Sequence, residues 1–174
     1  MEGFLNPEEV LKELEIKEGM IAAEFGTGAG IFSIALAKKL KLGKVYGLDI
    51  QEEKLSALKN RAVLEKLSNI ETIVCDLEAV KGSTLPNNSI DIILVCNILF
   101  QAENKSAIII EAKRVVKAGG QVLVVDWKET APFGPKEGRI TADQVKKIAT
   151  EAGLSLKKEF PAGAYHYGLL FKEQ

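Results

Sequence analysis

Ile21-Ala22-Ala23-Glu24-Phe25-Gly26-Thr27-Gly28-Ala29-Gly30-Ile31 reads as an apolar strand, a glycine-rich turn and the opening of a helix. Gly26, Gly28 and Gly30 carry no Cβ, so the backbone can take positive φ and a ligand can approach closely. The helix that follows offers unpaired N–H groups at its N-terminus. Any nucleotide-like ligand suits such a turn. Glu24, two residues before the first glycine, narrows the choice. A dinucleotide would lay its pyrophosphate against this turn, where a carboxylate repels it, whereas a cationic ligand would be attracted. The dinucleotide fingerprint also needs a glycine three residues after its second. This chain has Ile31 there, and its pattern is G-x-G-x-G.

Glu24-Phe25-Gly26-Thr27-Gly28-Ala29-Gly30 resembles the first motif of the class I S-adenosylmethionine-dependent methyltransferases: an acid, one residue, then G-x-G-x-G. Glutamate is a variant of the commoner aspartate in that family. S-adenosylmethionine carries an ammonium and a sulfonium and no phosphate, which agrees with the charge reading. A glycine turn that only packs a helix onto a sheet would look the same locally, so the flanking chain has to discriminate.

Upstream, Asn6-Pro7-Glu8-Glu9 is a helix start, with an N-cap, a proline in the first turn and an acid at the third position. Val10, Leu11 and Leu14 form its apolar stripe. Packing on the sheet explains this helix. The resemblance adds that such a helix often closes over the cofactor, with Phe4 and Leu5 in reach. Downstream, Ile31 to Leu40 is helical and ends in Lys38-Lys39, which suits the helix dipole. Lys44 to Asp49 is the second strand. Asp49, 19 residues after Gly30, ends it with a carboxylate able to accept two ribose hydroxyl protons. It is equally placed to cap the next helix, and the two roles are compatible. Ile50 follows it in the expected cofactor set. Gln51 to Lys66 is an amphipathic helix, with Leu55, Leu58 and Ala62 at helical spacing. Glu71 to Leu77 is the third strand and its exit. The resemblance implies that Asp76 accepts the adenine amino group and that the N–H of Leu77 meets the ring. A solvated loop acid is the alternative for Asp76.

Lys81 to Ser89 is a polar turn, and Ile90 to Cys96 is an apolar run of the kind buried on both faces of a central strand. Leu85-Pro86-Asn87-Asn88-Ser89-Ile90-Asp91-Ile92-Ile93-Leu94 resembles the fourth-strand segment of small-molecule methyltransferases of the ubiquinone-biosynthesis group. Where many relatives carry histidines, this chain has Asn97-Ile98-Leu99-Phe100-Gln101. Asn97 either lines the methyl-transfer site or caps the loop. Ala102 to Lys117 reads as a helix stopped by Ala118-Gly119-Gly120. Gln121 to Trp127 is a strand, and Arg114 to Asp126 resembles the family's fifth-strand region. The segment Glu129 to Arg139, rich in proline and glycine, leaves the carboxyl end of that strand, where ligands of parallel sheets bind. Trp127, Lys128, Phe133 and Arg139 are its candidate substrate contacts, and the two cations would favour an anionic acceptor. A solvated connection is the alternative. Thr141 to Ala152 is a helix. Leu154 to Phe160 and Tyr165 to Phe171 read as an antiparallel hairpin, a hallmark of the family. His166, the only histidine, lies between two tyrosines and reads as structural.

Composition fits a globular chain: 47% hydrophobic and 27% charged residues over 174 positions, enough for one sizeable core. A net charge of −1 gives no basic field to draw nucleic acid or a membrane surface. Cys75 and Cys96 make neither a disulfide framework nor a zinc pattern, so no metal is expected. No apolar run reaches membrane-spanning length and no leader is apparent, so a cytoplasmic protein is expected. The expectation is therefore a single α/β domain over residues 1–174. It has a Rossmann-like, doubly wound, seven-stranded and mostly parallel sheet, its last strand antiparallel, with helices on both faces. S-adenosyl-L-methionine is the expected cofactor, held by Glu24, Gly26, Thr27, Gly28, Gly30, Asp49, Ile50, Asp76, Leu77 and Asn97. The expected partner is a small-molecule methyl acceptor. No catalytic residue is assigned, because an activated methyl needs alignment more than a base. A non-catalytic cofactor-binding module keeps every motif, and a nicotinamide oxidoreductase conflicts with Glu24 and Ile31.

Overall fold

In the computed structural model, which describes residues 5–173, the chain alternates helices and strands. In order these are α1 (Pro7–Leu11), β1 (Ile21–Phe25), α2 (Ile31–Lys39), β2 (Lys44–Asp49), α3 (Glu52–Leu64), β3 (Ile70–Val74), β4 (Ile90–Cys96), α4 (Lys105–Val115), β5 (Val116–Trp127), α5 (Ala142–Glu151), β6 (Leu154–Pro161) and β7 (His166–Glu173). The sheet order is β3-β2-β1-β4-β5-β7-β6. Strands β1 to β5 pair in parallel, and β7 runs antiparallel to both neighbours. The expected seven strands with an antiparallel last strand are present. Strand β7 is inserted between β5 and β6, so the hairpin folds its second strand inward.

The period of two in a strand sends successive side chains to opposite faces. Ala23 and Phe25 of β1, Ile93 and Val95 of β4 and Val122 and Val124 of β5 pack with Ile108, Ile109 and Ala112 of α4 and Val145 of α5. The alternate residues Ala22, Ile92, Leu94, Leu123 and Val125 pack with Val10 and Leu11 of α1 and Phe32 and Leu36 of α2. Leu58 and Ala62 of α3 join Ile34 of α2. Central strands covered on both faces explain the nearly continuous apolar runs.

Three elements depart from the expected boundaries. Helix α4 starts later than Ala102: Leu99–Gln101 is a 3-10 turn, and Asn104 caps the helix by accepting from Ala107 N at 3.1 Å. It also ends earlier. Val116 is already extended and pairs with Ile90, while the next paired residue is Gln121 with Ile92. Gly119 and Gly120 therefore serve an irregularity within β5 and do not stop the helix. A Cβ on Gly120 would lie 2.7 Å from Val116 Cγ2. Strand β3 ends at Val74, leaving Cys75 to Leu77 as its exit. Leu5 packs against the α1–α2 cluster and does not line the main cavity, while Phe4 lies outside the described residues.

Candidate functional site

Order 3-2-1-4 places the change of chain direction between β1 and β4, and crevices form at the carboxyl ends of such strands. A cavity of about 730 Å³ lies there. Its walls come from the ends of β1 and β2, the exits of β3 and β4, the 3-10 turn, Trp127 at the end of β5 and Pro135 in the following loop.

The glycine turn is pinned to β2: the N–H groups of Gly26 and Thr27 both donate to Leu48 O, at 2.8 and 2.9 Å. Gly26, Gly28 and Gly30 all have positive φ. Their roles separate. A Cβ on Gly30 would sit 2.4 Å from Leu58 Cδ1, so Gly30 lets α3 pack against the turn, and it does not line the cavity. A Cβ on Gly28 would meet nothing nearer than Gly26 O at 4.0 Å, so this position opens onto the cavity.

Glu24 is buried and lines the cavity. Its Oε2 accepts from Thr27 Oγ1 at 2.9 Å, from Ser33 N at 2.8 Å and from Ser33 Oγ. The acid thus ties β1 to the first turn of α2. Burial pushes its carboxyl up to about 7, against the opposing effect of the Ser33 and Thr27 bonds. Burial thus works against the full negative charge at neutral pH that the motif alone suggests. A cation in the cavity would favour the ionised form. Asp49 accepts from Gly28 N through Oδ2 and from Gln51 N through Oδ1, each at 3.0 Å. It braces both the glycine turn and the start of α3. Each oxygen retains accepting capacity for a hydroxyl. Asp76 lies exposed on the cavity rim and accepts from Glu78 N at 2.9 Å, with Leu77 buried beside it. Thr27, Ile50 and Asn97 also line the cavity.

Asn97 sits at φ 53°, in the left-handed region that asparagine tolerates. Its N–H donates to Val125 O at 2.8 Å. Its Oδ1 is buried and has no hydrogen-bond partner among the described residues. A buried acceptor at a cavity can be satisfied by ordered water or by a donor on a ligand.

The four residues expected near an acceptor divide. Trp127 lines the cavity. Lys128 does not: its Nζ donates to Ala164 O at 2.9 Å. Phe133 turns away and meets Tyr165 edge-on, with ring centroids 5.4 Å apart. Arg139 also stays out of the main cavity, because its guanidinium is engaged by carbonyls of its own loop. The expected preference for an anionic acceptor loses its basis. The charged side chains lining the cavity are Glu24, Asp49, Asp76, Glu78 and Lys54, the last on α3. Among the described residues, no cationic side chain lines the cavity on the wall formed by Cys96, Asn97, Phe100 and Trp127.

Several contributors carried no signal in the motif. Ser33 is fully buried against Glu24. Asp126, also fully buried, accepts from Leu99 N at 3.0 Å and Trp127 N at 2.8 Å, fixing the turn after β4 that carries Phe100 and Gln101. Burial pushes Asp126 up to about 6. An acid at the tail of an apolar strand, the pattern of Glu24 and Asp49, was its available signal. Cys75 and Cys96 both line the cavity. Burial raises the Cys75 thiol to about 11 and the Cys96 thiol well above its usual value, so neither supplies a thiolate. His166 stands behind Trp127 at 4.1 Å, outside the cavity, and burial lowers its pKa to about 4.

A family profile described as "Methyltransferase domain" matches residues 16–163. Among curated proteins, the chain is similar to a ubiquinone/menaquinone biosynthesis C-methyltransferase of Hydrogenovibrio crunogenus. The two are 29% identical over 143 residues, covering 74% of this chain and 55% of that protein. A demethylmenaquinone methyltransferase of Bacillus mycoides is 27% identical over 135 residues, covering 76% of this chain and 55% of the relative. The chain thus spans about half the length of the curated relatives it matches. Among solved structures, a SAM-dependent methyltransferase from Aquifex aeolicus superposes with a TM-score of 0.86 at 30% identity, covering 96% of this chain and 89% of that one.

Proposed function

The chain belongs to the class I S-adenosylmethionine-dependent methyltransferase family, and from that membership we propose that it transfers a methyl group to a small, uncharged acceptor held between the ends of β4 and β5. The observation that carries this reading is the row of acids along one cavity: Glu24, Asp49 and Asp76 at the ends of β1, β2 and β3. In this reading Glu24 attracts the cationic methionine half, Asp49 accepts from the ribose hydroxyls, and Asp76 with the Leu77 N–H takes the adenine. Gly28 lets the ligand lie against the backbone. When bound, S-adenosylmethionine supplies a methyl already activated by its sulfonium.

The chain's own part is alignment and exclusion of water, since an activated methyl needs alignment more than a base and, among the described residues, the β4–β5 wall presents no carboxylate or imidazole to the cavity. Asn97 Oδ1 supports a donor on the bound ligand, and the aromatic faces of Phe100 and Trp127 support a flat, apolar body. Two curated relatives are named for quinone-type substrates, which makes hydroquinones the first acceptors to try here. Titration calorimetry with S-adenosylhomocysteine and with NAD tests the cofactor. Methyl-labelled S-adenosylmethionine offered with hydroquinones and with anionic acceptors tests the transfer. Tighter binding of NAD, or labelling of anionic acceptors alone, overturns the reading.

A further inference from the structure

The backbone from Lys128 to Ile140 forms neither helix nor strand, so its carbonyls have no ladder partners. Arg139 supplies them. Its Nε donates to Pro135 O at 2.7 Å, Nη2 to Phe133 O at 2.6 Å, and Nη1 to the carbonyls of Lys128, Glu129 and Ala131 at 3.0, 2.9 and 2.8 Å. The same guanidinium lies 6.0 Å from the Trp127 ring centroid. The gathered loop is pressed onto the cavity wall at two points. A Cβ on Gly134 would stand 2.6 Å from the Trp127 ring, and one on Gly138 would stand 2.0 Å from Phe100 O. These glycines permit the close approach. Trp127 and Pro135 line the cavity in front.

We propose that Arg139 is a positioning residue that fixes the acceptor wall of the cavity from behind, holding the 128–135 backbone against Trp127 so that the Trp127–Pro135 surface is formed before any ligand arrives. This rests on the methyl-transfer reading, and it gives Arg139 a role other than contact with substrate. The rigid fork of five N–H donors is what the task requires. A lysine carries the same charge, but its donors radiate from one point and cannot span carbonyls spread over the loop.

Trp127 is the only tryptophan, so its fluorescence reports this wall directly. In Arg139→Ala, acrylamide quenching of Trp127 should rise. A glutamate-specific protease should cut at Glu129 or Glu137 about tenfold faster or more, since cleavage follows the opened population. Affinity for S-adenosylhomocysteine should be unchanged, and the KM for a hydroquinone acceptor should rise without a change in the KM for S-adenosylmethionine. Arg139→Lys should behave like the alanine variant. Gly134→Ala should raise quenching with Arg139 intact, which keeps the test open should Arg139→Ala fail to fold. Unchanged quenching and cleavage in these variants, or full rescue by lysine, overturns the proposal. A wild-type protein that binds no S-adenosylhomocysteine sinks the methyl-transfer reading, while the loop measurements still judge Arg139.

Discussion

At the scale of single residues, Glu24 and Asp49 both brace the glycine turn, and the proposed function gives each a ligand to hold as well. Asp49 accepts from two backbone donors, so Asp49→Ala leaves Gly28 N and Gln51 N without partners. It should weaken S-adenosylhomocysteine binding by about tenfold or more and cost on the order of 1–3 kcal/mol of stability. Calorimetry and urea unfolding separate the two effects, and a folded variant with unchanged affinity leaves Asp49 as a brace only. Glu24 makes a pH prediction. Its pKa is raised from 4.5 to about 7, so the native state keeps a proton that the unfolded chain has released. That stabilisation is complete below the unfolded value and is lost as the pH rises through about 7. Asp126, raised from 3.8 to about 6, acts with the same sign. The melting temperature of the cofactor-free protein should therefore fall from about pH 5 to about pH 7.5, and Glu24→Gln should flatten part of that fall. Affinity for the cationic cofactor should rise over the same range in the wild type and not in Glu24→Gln. An equal pH slope in both proteins would remove the titration from Glu24.

At the scale of elements, the glycine turn joins two functions that substitutions can part. Gly30→Ala places a methyl 2.4 Å from Leu58 Cδ1 at a φ of 73°. It should destabilise the protein by roughly 1–3 kcal/mol or more, through backbone strain and displacement of α3. Gly28→Ala has φ 49° and open space around it. It should cost about 1–2 kcal/mol from the left-handed backbone alone, and should lose cofactor affinity because the methyl enters the cavity. Thermal melts with and without S-adenosylhomocysteine check both; equal loss of binding in the two variants would deny the division. The glycines were legible in the sequence as a motif. Their division was not, because it depends on Leu58, 28 residues away on α3. The start of β5 was misread for a similar reason. Val116 continues a helical pattern locally, but Ile90, the first residue of β4, offers it a pairing partner.

At the scale of the whole molecule, α1 belongs to the core. Val10, Leu11 and Leu14 are at most 8% exposed and pack on Phe32 and Leu36. Beyond them, Gln121 donates to Glu15 O at 2.9 Å and accepts from Glu15 N at 3.0 Å, fastening the segment to β5. Each buried aliphatic side chain contributes roughly 1.5–3 kcal/mol. Removing residues up to Leu14 should therefore cost on the order of 5 kcal/mol, comparable with the whole stability of many domains. Urea unfolding of the shortened chain measures it; a loss below about 1 kcal/mol would show α1 to be a loose appendage.

By itself the sequence determined the succession of strands and helices, though not every boundary, and the acids at or just beyond the ends of three strands. Hydrophobic period and turn chemistry are local, and parallel crossovers then bring Glu24, Asp49 and Asp76 to one edge of the sheet. Only the tertiary structure decided that β7 enters between β5 and β6, since strand order is set by edge pairing between distant segments. It alone decided where Lys128 and Arg139 place their donors, because the chain brings backbone carbonyls within reach of both. It alone raised the Glu24 carboxyl above its usual range, because desolvation is a property of the packed site and not of the residue.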